Sequence, residues 1–253
     1  MRKIVSFLLV VMVVTQPACF PKKEKLTKVW FYTYSNNPGG DDDLNINPAS
    51  FLNLQADGFY TRDFGIFDFG HWEKNGKELK LINGQNKTFV FPVKLLGNEL
   101  ELLTPKGNIV NFEGKPASFA SPGANPFSVD NNQWRIAAKR KETEQEIKKR
   151  LINHCRFYEI YFRWALDNEL SSIDVRSTPS LIKIYGNGFE LKPFDELPEA
   201  WRFYFFDQED CRKASEMIKD VFNHSDIAWS NSDNKFKMFI SAFQQLQQLL
   251  KEK

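Results

Sequence analysis

Residues 51–72 carry the pattern that most constrains how this chain can fold. Short apolar runs in this stretch are interrupted by Ala56-Asp57-Gly58 and by Asp63-Phe64-Gly65, both of which are turn signals. Apolar runs that alternate with polar residues and end at such turns are typical of antiparallel strands joined by hairpins. The sequence therefore predicts a tight antiparallel meander in this stretch.

The same pattern continues on both sides, so that residues 26–114 are predicted to form eight strands. The strongest turn is Asn75-Gly76, because both residues tolerate the positive φ of a type I′ hairpin. Leu79 and Leu81 alternate with polar neighbours, as in a strand with one buried face. Strands joined only by hairpins are antiparallel, and closure removes the exposed sheet edges, so we predict an up-and-down β-barrel. The predicted strands are 26–34, 50–55, 58–62, 66–74, 77–83, 87–96, 98–104 and 108–114.

Several features of this half resemble the lipocalin-like domains that are common in bacterial lipoproteins. They are Trp30 on the opening strand, Asp57-Gly58-Phe59-Tyr60 at the first hairpin, Gly70-His71-Trp72, and the alternating pair Leu79 and Leu81. The resemblance implies a barrel that binds a small apolar or amphipathic ligand. True lipocalins have a Gly two residues before the first Trp, whereas this chain has Lys28 there. The specific ligands of that family are therefore not carried over.

The first 19 residues have the layout of a secretory signal peptide. Arg2 and Lys3 precede an apolar run at 4–14 that is too short to span a bilayer. Ala18-Cys19 then resembles the lipobox of bacterial lipoproteins, in which the Cys thiol is acylated and becomes the new N-terminus. Gln16 stands where that pattern has an aliphatic residue. Cleavage elsewhere, with loss of Cys19, is the alternative.

The lipobox resemblance implies a location as well as a modification. A lipidated Cys19 carries two or three acyl chains, and more than one chain gives a stable membrane anchor. Residues 20–25 would then form a short polar tether to the barrel. We expect an outer-membrane lipoprotein of the cell envelope.

The composition of the chain changes after the predicted barrel. Pro and small residues at 115–129 predict a linker, and residues 130–253 are predicted to form an α-rich domain with a small β-hairpin at 180–192. The longest helix is expected at 133–170, with candidate N-caps at 130–132. Its apolar face is wide enough to need cover on two sides. The predicted fold class is α+β.

If Cys19 carries lipid, Cys155 and Cys211 remain as an even pair in a compartment that permits disulfides. Each lies on the apolar stripe of a predicted helix. One alternative is a disulfide between them, which would add about 4 kcal/mol of stability if it were unstrained. The other is a pair of buried thiols that behave as small hydrophobic side chains.

The basic residues near the start of the long helix have two interpretations. They are interleaved with Glu142, Glu144 and Glu146, so they can form a solvated, partly salt-bridged face. The alternative is a patch for anionic lipid headgroups or polysaccharide. The residues are Arg135, Lys139, Arg140, Lys141, Lys148, Lys149 and Arg150.

The familiar catalytic and metal-binding motifs are absent from the sequence. It has no Gly-x-Ser-x-Gly, His-Glu-x-x-His or Cys-x-x-Cys segment, and His71, His154 and His224 are its only histidines. We expect His154 to be a packed core residue. The alternating Asp41, Asp43, Asn45 and Asn47 lack the later Gly and Glu of a calcium loop, so we expect a solvated turn and no metal. We predict no cofactor and no enzymatic activity.

The sequence leaves three hypotheses about function. The first is a non-catalytic, membrane-anchored lipoprotein whose barrel binds a small apolar or amphipathic ligand. The second is a protein-protein interaction module of the envelope, with a side-chain-filled barrel and an aromatic helical docking domain. The third, with the least support, is a glycan hydrolase acting through carboxylates in the second half. A formal charge of only +2 argues against nucleic acid as a partner.

Overall fold

The computed structural model describes residues 23–36, 44, 46, 50–116, 122–169, 182–185, 188–191, 204–225 and 234–253. A short helix, α1 (Lys23–Leu26), leads into eight antiparallel strands that form a closed barrel. Neighbouring strands in the chain pair with each other, and β1 pairs with β8 to close the sheet. The strands are β1 (Val29–Ser35), β2 (Phe51–Leu54), β3 (Phe59–Asp63), β4 (Phe67–Asn75), β5 (Glu78–Asn83), β6 (Thr88–Leu96), β7 (Glu99–Leu103) and β8 (Ile109–Lys115).

The up-and-down barrel predicted from the sequence is therefore confirmed. The last seven strands begin and end within one residue of their predicted bounds. The first strand begins three residues later than predicted, because residues up to Leu26 form α1. Gly76 has φ of +56°, the conformation that the Asn-Gly turn requires.

The inward side chains of the barrel form one apolar cluster, in which no buried member is more than 8% exposed. Large rings lie close together in it: the Phe64 and Phe112 centroids are 5.6 Å apart, and those of Phe64 and Phe91 are 6.3 Å apart. A ligand-sized cavity would leave the side chains around it facing open space, whereas these contact one another. The described interior is filled by its own side chains. The buried members are Leu26, Trp30, Leu52, Leu54, Tyr60, Phe64, Trp72, Leu79, Leu81, Phe91, Val93, Leu100, Leu102, Val110 and Phe112.

The two ends of the barrel differ. At the N-terminal end, the Trp30 indole donates a hydrogen bond to the Leu26 carbonyl (2.8 Å), which fixes α1 against the strands. The opposite end, here called the loop end, carries the long β1–β2 connection and the β3–β4, β5–β6 and β7–β8 turns. Leu44 and Ile46, from the long connection, pack against the barrel cluster.

The second half consists mainly of helices. They are α2 (Val129–Asn132), α3 (Glu144–Asp167), α4 (Gln208–Asn223) and α5 (Lys235–Glu252), with 3-10 turns at Pro122–Ala124 and Gln133–Arg135. A two-stranded antiparallel sheet, β9 (Ile182–Tyr185) and β10 (Gly188–Leu191), confirms the predicted hairpin. Together with the barrel, these elements confirm the α+β class.

The long helix does not begin at residue 133, as the sequence predicted. It begins at Glu144, because Thr143 and Glu146 form a capping box: each side chain accepts a hydrogen bond from the backbone N–H of the other. The expected caps at 130–132 lie instead in α2, whose own N-cap is Ser128. Residues 136–143 separate the 3-10 turn from α3 and are not helical.

The helices pack against the outer face of the first four strands. Phe31 and Phe51 point outward from β1 and β2, and both lie beside Phe127, with ring centroids 6.2 and 4.7 Å away. Phe127 also contacts Trp164 of α3 at 5.4 Å. The predicted linker at 115–129 thus contributes a fully buried ring to the core between barrel and helices.

The opposite side of α3 is covered by α5. The ring centroids of Phe162 and Phe239 are 4.7 Å apart, and those of Tyr158 and Phe243 are 5.2 Å apart. The wide aromatic face of α3 is therefore covered on two sides, as its width predicted.

Candidate functional site

A buried arginine lies inside the barrel near its loop end. Arg62 of β3 and Asp68 of β4 are directly opposite each other in the sheet, and both point inward. The Arg62 Nη2 atom lies 3.0 Å from Asp68 Oδ2, which also accepts a hydrogen bond from the Tyr60 hydroxyl at 3.0 Å. Arg62 is 4% exposed. A charge in this setting needs partners, because burying it without them is costly.

Three aromatic rings pack around the guanidinium of Arg62 and partly compensate the loss of water around its positive charge. Its central carbon lies 4.0 Å from the centroid of Phe89, 5.1 Å from that of Phe64 and 5.9 Å from that of Phe91. Burial lowers the pKa of Arg62, and the charge of Asp68 opposes that shift. Nε and Nη1 of Arg62 have no hydrogen-bond partner among the described residues. The site therefore has two N–H groups that a ligand could use.

Exposed apolar side chains surround this end of the barrel. Tyr34 ends β1, Ile66 lies in the β3–β4 turn, Val90 is near the start of β6, and Leu103 ends β7. All four are exposed, Tyr34 to 60% and Ile66 to 56%. We call these four residues the rim. It combines apolar surface with the buried cation of Arg62.

A second buried polar cluster joins the barrel to the helices. Asp63 follows Arg62 in β3 but points outward, and its carboxylate lies 2.7 Å from the Arg135 guanidinium. Asp63 also accepts a hydrogen bond from the Gly65 N–H at 3.1 Å. The Arg135 guanidinium carbon lies 5.1 Å from the ring of Phe157. Burial alone would lower the pKa of Arg135, but the charge of Asp63 and the nearby tyrosines together outweigh it and raise that pKa. Burial raises the pKa of Asp63, and the charge of Arg135 opposes that shift.

His154 lies in the same cluster and is buried, as the sequence predicted. Its ring is 4.3 Å from that of Trp134 and 4.8 Å from that of Tyr158, measured between centroids. Burial and the nearby Arg135 lower its pKa to about 3, so His154 is neutral in the folded protein. Burial also raises the pKa of Tyr204 above its usual range. The cluster joins the two halves of the protein through the contact between Asp63 and Arg135. Because all these side chains are buried, it has no surface that a substrate could reach.

The other candidate residues lie in different places. Cys19 and the alternating Asp41, Asp43, Asn45 and Asn47 fall outside the described residues. His71 and His224 are exposed on β4 and at the end of α4. Neither histidine lies at the loop end or in the buried polar cluster that joins the barrel to the helices.

Cys155 and Cys211 are both buried thiols in the helical core. Cys211 follows Asp210, whose carboxylate accepts a hydrogen bond from the Glu142 N–H just before α3 begins. Cys155 lies eleven residues beyond Glu144, or about 16 Å along the helix. A disulfide requires Cα atoms within roughly 7 Å. In the structure the two thiols are free and buried; the disulfide stays a prediction that labelling in urea decides.

Four of the seven basic residues near the start of α3 form ion pairs, and two of these four are not on a solvated face. Arg135 is buried against Asp63, and Arg150 contacts Glu142 at 3.2 Å with little exposure of either side chain. Lys141 is exposed but lies 2.9 Å from Glu209 of α4.

The described part of the chain has neither a metal-binding cluster nor a membrane-spanning helix. No group of three or more His, Cys, Asp or Glu side chains there is arranged to hold a metal ion. No helix in those ranges is both long and apolar enough to cross a membrane.

Comparisons with family models, with curated proteins and with solved structures returned no match to this chain. The geometry of the loop end is therefore the basis for inferring a function.

Sequence reasoning missed Arg62 and Asp68. The one available signal was the pattern Tyr60-Thr61-Arg62-Asp63, in which polar residues occupy both faces of a predicted strand. Helices cover the outer face of β3, so such a pattern places one polar group in the barrel interior and the next one between the barrel and the helices.

Proposed function

We propose that this protein is a membrane-anchored, non-catalytic lipoprotein of the cell envelope that binds a small amphipathic ligand over the loop end of its barrel. The observation that carries the proposal is the position of the rim around the buried Arg62. Exposed apolar side chains next to a cation suit a molecule with one apolar and one polar part. Lipid attachment at Cys19 would supply the anchor.

The packed barrel interior limits where such a ligand can bind. Trp30, Phe91 and Phe112 already fill the space that an enclosed ligand would need. The ligand would therefore lie across the rim and reach inward only as far as Arg62. This differs from enclosure within the barrel, which the lipocalin-like resemblance implied.

The chemistry of the loop end supports binding without catalysis. Asp68 accepts hydrogen bonds from Arg62 and Tyr60, so its carboxylate is held in an ion pair. Burial and the charge of Asp68 raise the pKa of Tyr60 well above its usual range. Tyr60 is therefore not poised to exchange a proton near neutral pH.

The packed interior also favours a second candidate, a protein partner that docks on the rim. The aromatic face of α3 is buried between the barrel and α5, so its rings are not available for such docking. The rim would then be the contact surface. Capture of a specific envelope protein that depends on Tyr34 and Ile66 would distinguish this candidate from ligand binding.

The proposal is tested with the chain from residue 20 onward, which keeps every residue that the structure describes. The neutral fluorescent dye 1-aminoanthracene is titrated into the protein, and decanoate and decanol are then used to displace it. We expect saturable binding of one dye per protein and displacement by at least one of the two amphiphiles.

Matched variants locate the binding surface. Ile66→Ser and Tyr34→Ser should each weaken dye binding at least threefold, because they remove apolar surface from the rim. Leu96→Ser is the control, since Leu96 is a similarly exposed apolar residue at the N-terminal end of the barrel. The proposal fails if no saturable binding occurs, or if Leu96→Ser weakens binding as much as the rim variants do.

A further inference from the structure

We propose that the loop end selects amphiphiles with a carboxylate head group and that Arg62 binds this group. The inference rests on the proposed function and names its ligand class. Arg62 is a permanent cation, and its guanidinium can donate five hydrogen bonds. Its one ion-pair contact within 4.0 Å in the described structure is Nη2 with Asp68. A carboxylate offers two negatively charged acceptor oxygens for the donors that remain.

The nearby acid is already occupied by its own neighbours. Asp68 Oδ2 accepts from Arg62 and Tyr60, and Oδ1 accepts from the Phe69 N–H at 2.9 Å. None of these hydrogen bonds involves the Nε or Nη1 atom of Arg62. These two donors have no hydrogen-bond partner in the described residues. A buried donor without a partner is destabilising, and a ligand carboxylate would remove that cost.

The route from solvent to Arg62 is short. Phe89, whose ring is 4.0 Å from the Arg62 guanidinium carbon, is only half-buried, and the Asp68 side chain remains 17% exposed. A rotation of the Phe89 ring would open the guanidinium to a head group. The exposed Lys87 amine lies 4.9 Å from the centroid of the same ring, which adds a second positive charge at the entrance.

The rest of the amphiphile would lie on apolar surface. Ile66 follows Gly65 in the turn directly after β3, at the loop end, and is exposed, so an alkyl chain that leaves Arg62 would meet it first. Val90 follows the inward-pointing Phe89 in β6 and adds exposed apolar surface on the outer face of the barrel wall. The site thus selects a molecule with a single negative head and an apolar tail.

The test compares molecules with the same tail and different heads. Decanoate, decanol and decyltrimethylammonium are used to displace 1-aminoanthracene from the chain from residue 20 onward. We expect decanoate to bind at least tenfold more tightly than decanol, and the cation to bind more weakly than either. Equal affinity for decanoate and decanol would refute the carboxylate preference and leave the proposed function intact. Failure of all three to displace the dye would count against both.

Variants at the loop end test the role of Arg62. Arg62→Met should weaken decanoate at least tenfold and change decanol less than twofold, and Arg62→Lys should retain part of the preference for decanoate. Lys94→Met is the matched control, because it removes an exposed cation of the same strand towards the opposite end of the barrel, and it should change decanoate affinity less than threefold. If Arg62→Met leaves the preference for decanoate unchanged, Arg62 is not the recognition residue. Should Arg62→Met fail to fold, Arg62→Met/Asp68→Leu removes both buried charges, and a retained decanoate preference in that variant would refute the inference.

Discussion

The guanidinium of Arg135 lies 2.7 Å from the carboxylate of Asp63, with 1% and 2% of the two side chains exposed. The preceding residue, Arg62, forms an ion pair with Asp68 on the other face of the same strand. Two consecutive residues of β3 thus hold buried charges on opposite sides of the barrel wall. The inner pair faces the loop end, and the outer pair joins the barrel to the helices.

Removing one member of the outer pair should be strongly destabilising. Asp63→Asn or Arg135→Met leaves the other group buried without its counter-charge, and we expect the free energy of unfolding to fall by about 3–5 kcal/mol. The double variant Asp63→Leu/Arg135→Met should lose less than the sum of the single variants. Arg212→Met, which removes an exposed ion pair with Glu216, should cost less than about 1 kcal/mol. Urea unfolding measures all four, and a loss below about 1 kcal/mol for both single variants would contradict the structural role.

His154 should make the protein less stable as the pH falls. Its pKa is lowered from 6.5 to about 3 in the folded state. Between these values the unfolded chain binds a proton that the folded protein does not, so stability is lost as pH falls from 6.5 towards 3. The contribution is at most about 1.4 kcal/mol per pH unit. His154→Leu should show a shallower decline in urea unfolding over this range, whereas His71→Asn, at an exposed position, should keep the wild-type slope. Parallel profiles for wild type and His154→Leu would contradict the assignment.

Gly70 should not tolerate a side chain. A Cβ atom at this position would lie 2.0 Å from the Ile82 carbonyl oxygen, which is backbone and cannot rotate away. Gly70→Ala should therefore lower the free energy of unfolding by about 3 kcal/mol. Gly123→Ala is the control, because a Cβ there meets nothing within 4 Å, and it should change stability by less than about 0.5 kcal/mol. Equal melting temperatures for the two variants would show that the β4–β5 contact is looser than described.

The two core cysteines should be protected only while the protein is folded. Burial raises the pKa of the Cys155 thiol far above its usual range, which keeps it protonated and unreactive. Iodoacetamide should label neither Cys155 nor Cys211 in the native protein and both of them in urea without reductant. Mass analysis of peptides gives the result. Both thiols remaining unlabelled in urea would indicate a disulfide and contradict the free thiols of the structure.

Most of the barrel could be predicted from the sequence because the signals for each strand lie within that strand and the turns beside it. Leu79 and Leu81 alternate with polar residues, and Asn75-Gly76 fixes the turn before them. These signals need no knowledge of distant residues. The start of α3 was predicted wrongly because Trp134 and Arg135 both fit a helical pattern in the sequence. In the structure they lie in a 3-10 turn, where Arg135 contacts Asp63 and Trp134 contacts Phe157.

The loop end could not be predicted in the same way. Arg62 and Asp68 are six residues apart and oppose each other only once β3 and β4 have paired. The rings of Phe89 and Phe91 reach Arg62 from across the barrel, which requires closure of all eight strands. The sequence also gave no sign that Arg135, within a basic run, is buried rather than solvated.

The hydrogen bond between Trp30 and the Leu26 carbonyl would determine which end of a lipid-anchored barrel faces the membrane. It fixes α1 at the end of the barrel opposite the rim, and only three residues separate Cys19 from Lys23. At roughly 3.5 Å per residue, a lipid on Cys19 would hold that end within about 15 Å of the bilayer. The rim would then point away from the membrane that carries the protein. Its ligands would arrive from the aqueous side, so the protein would collect amphiphiles in transit and not those already dissolved in its own bilayer.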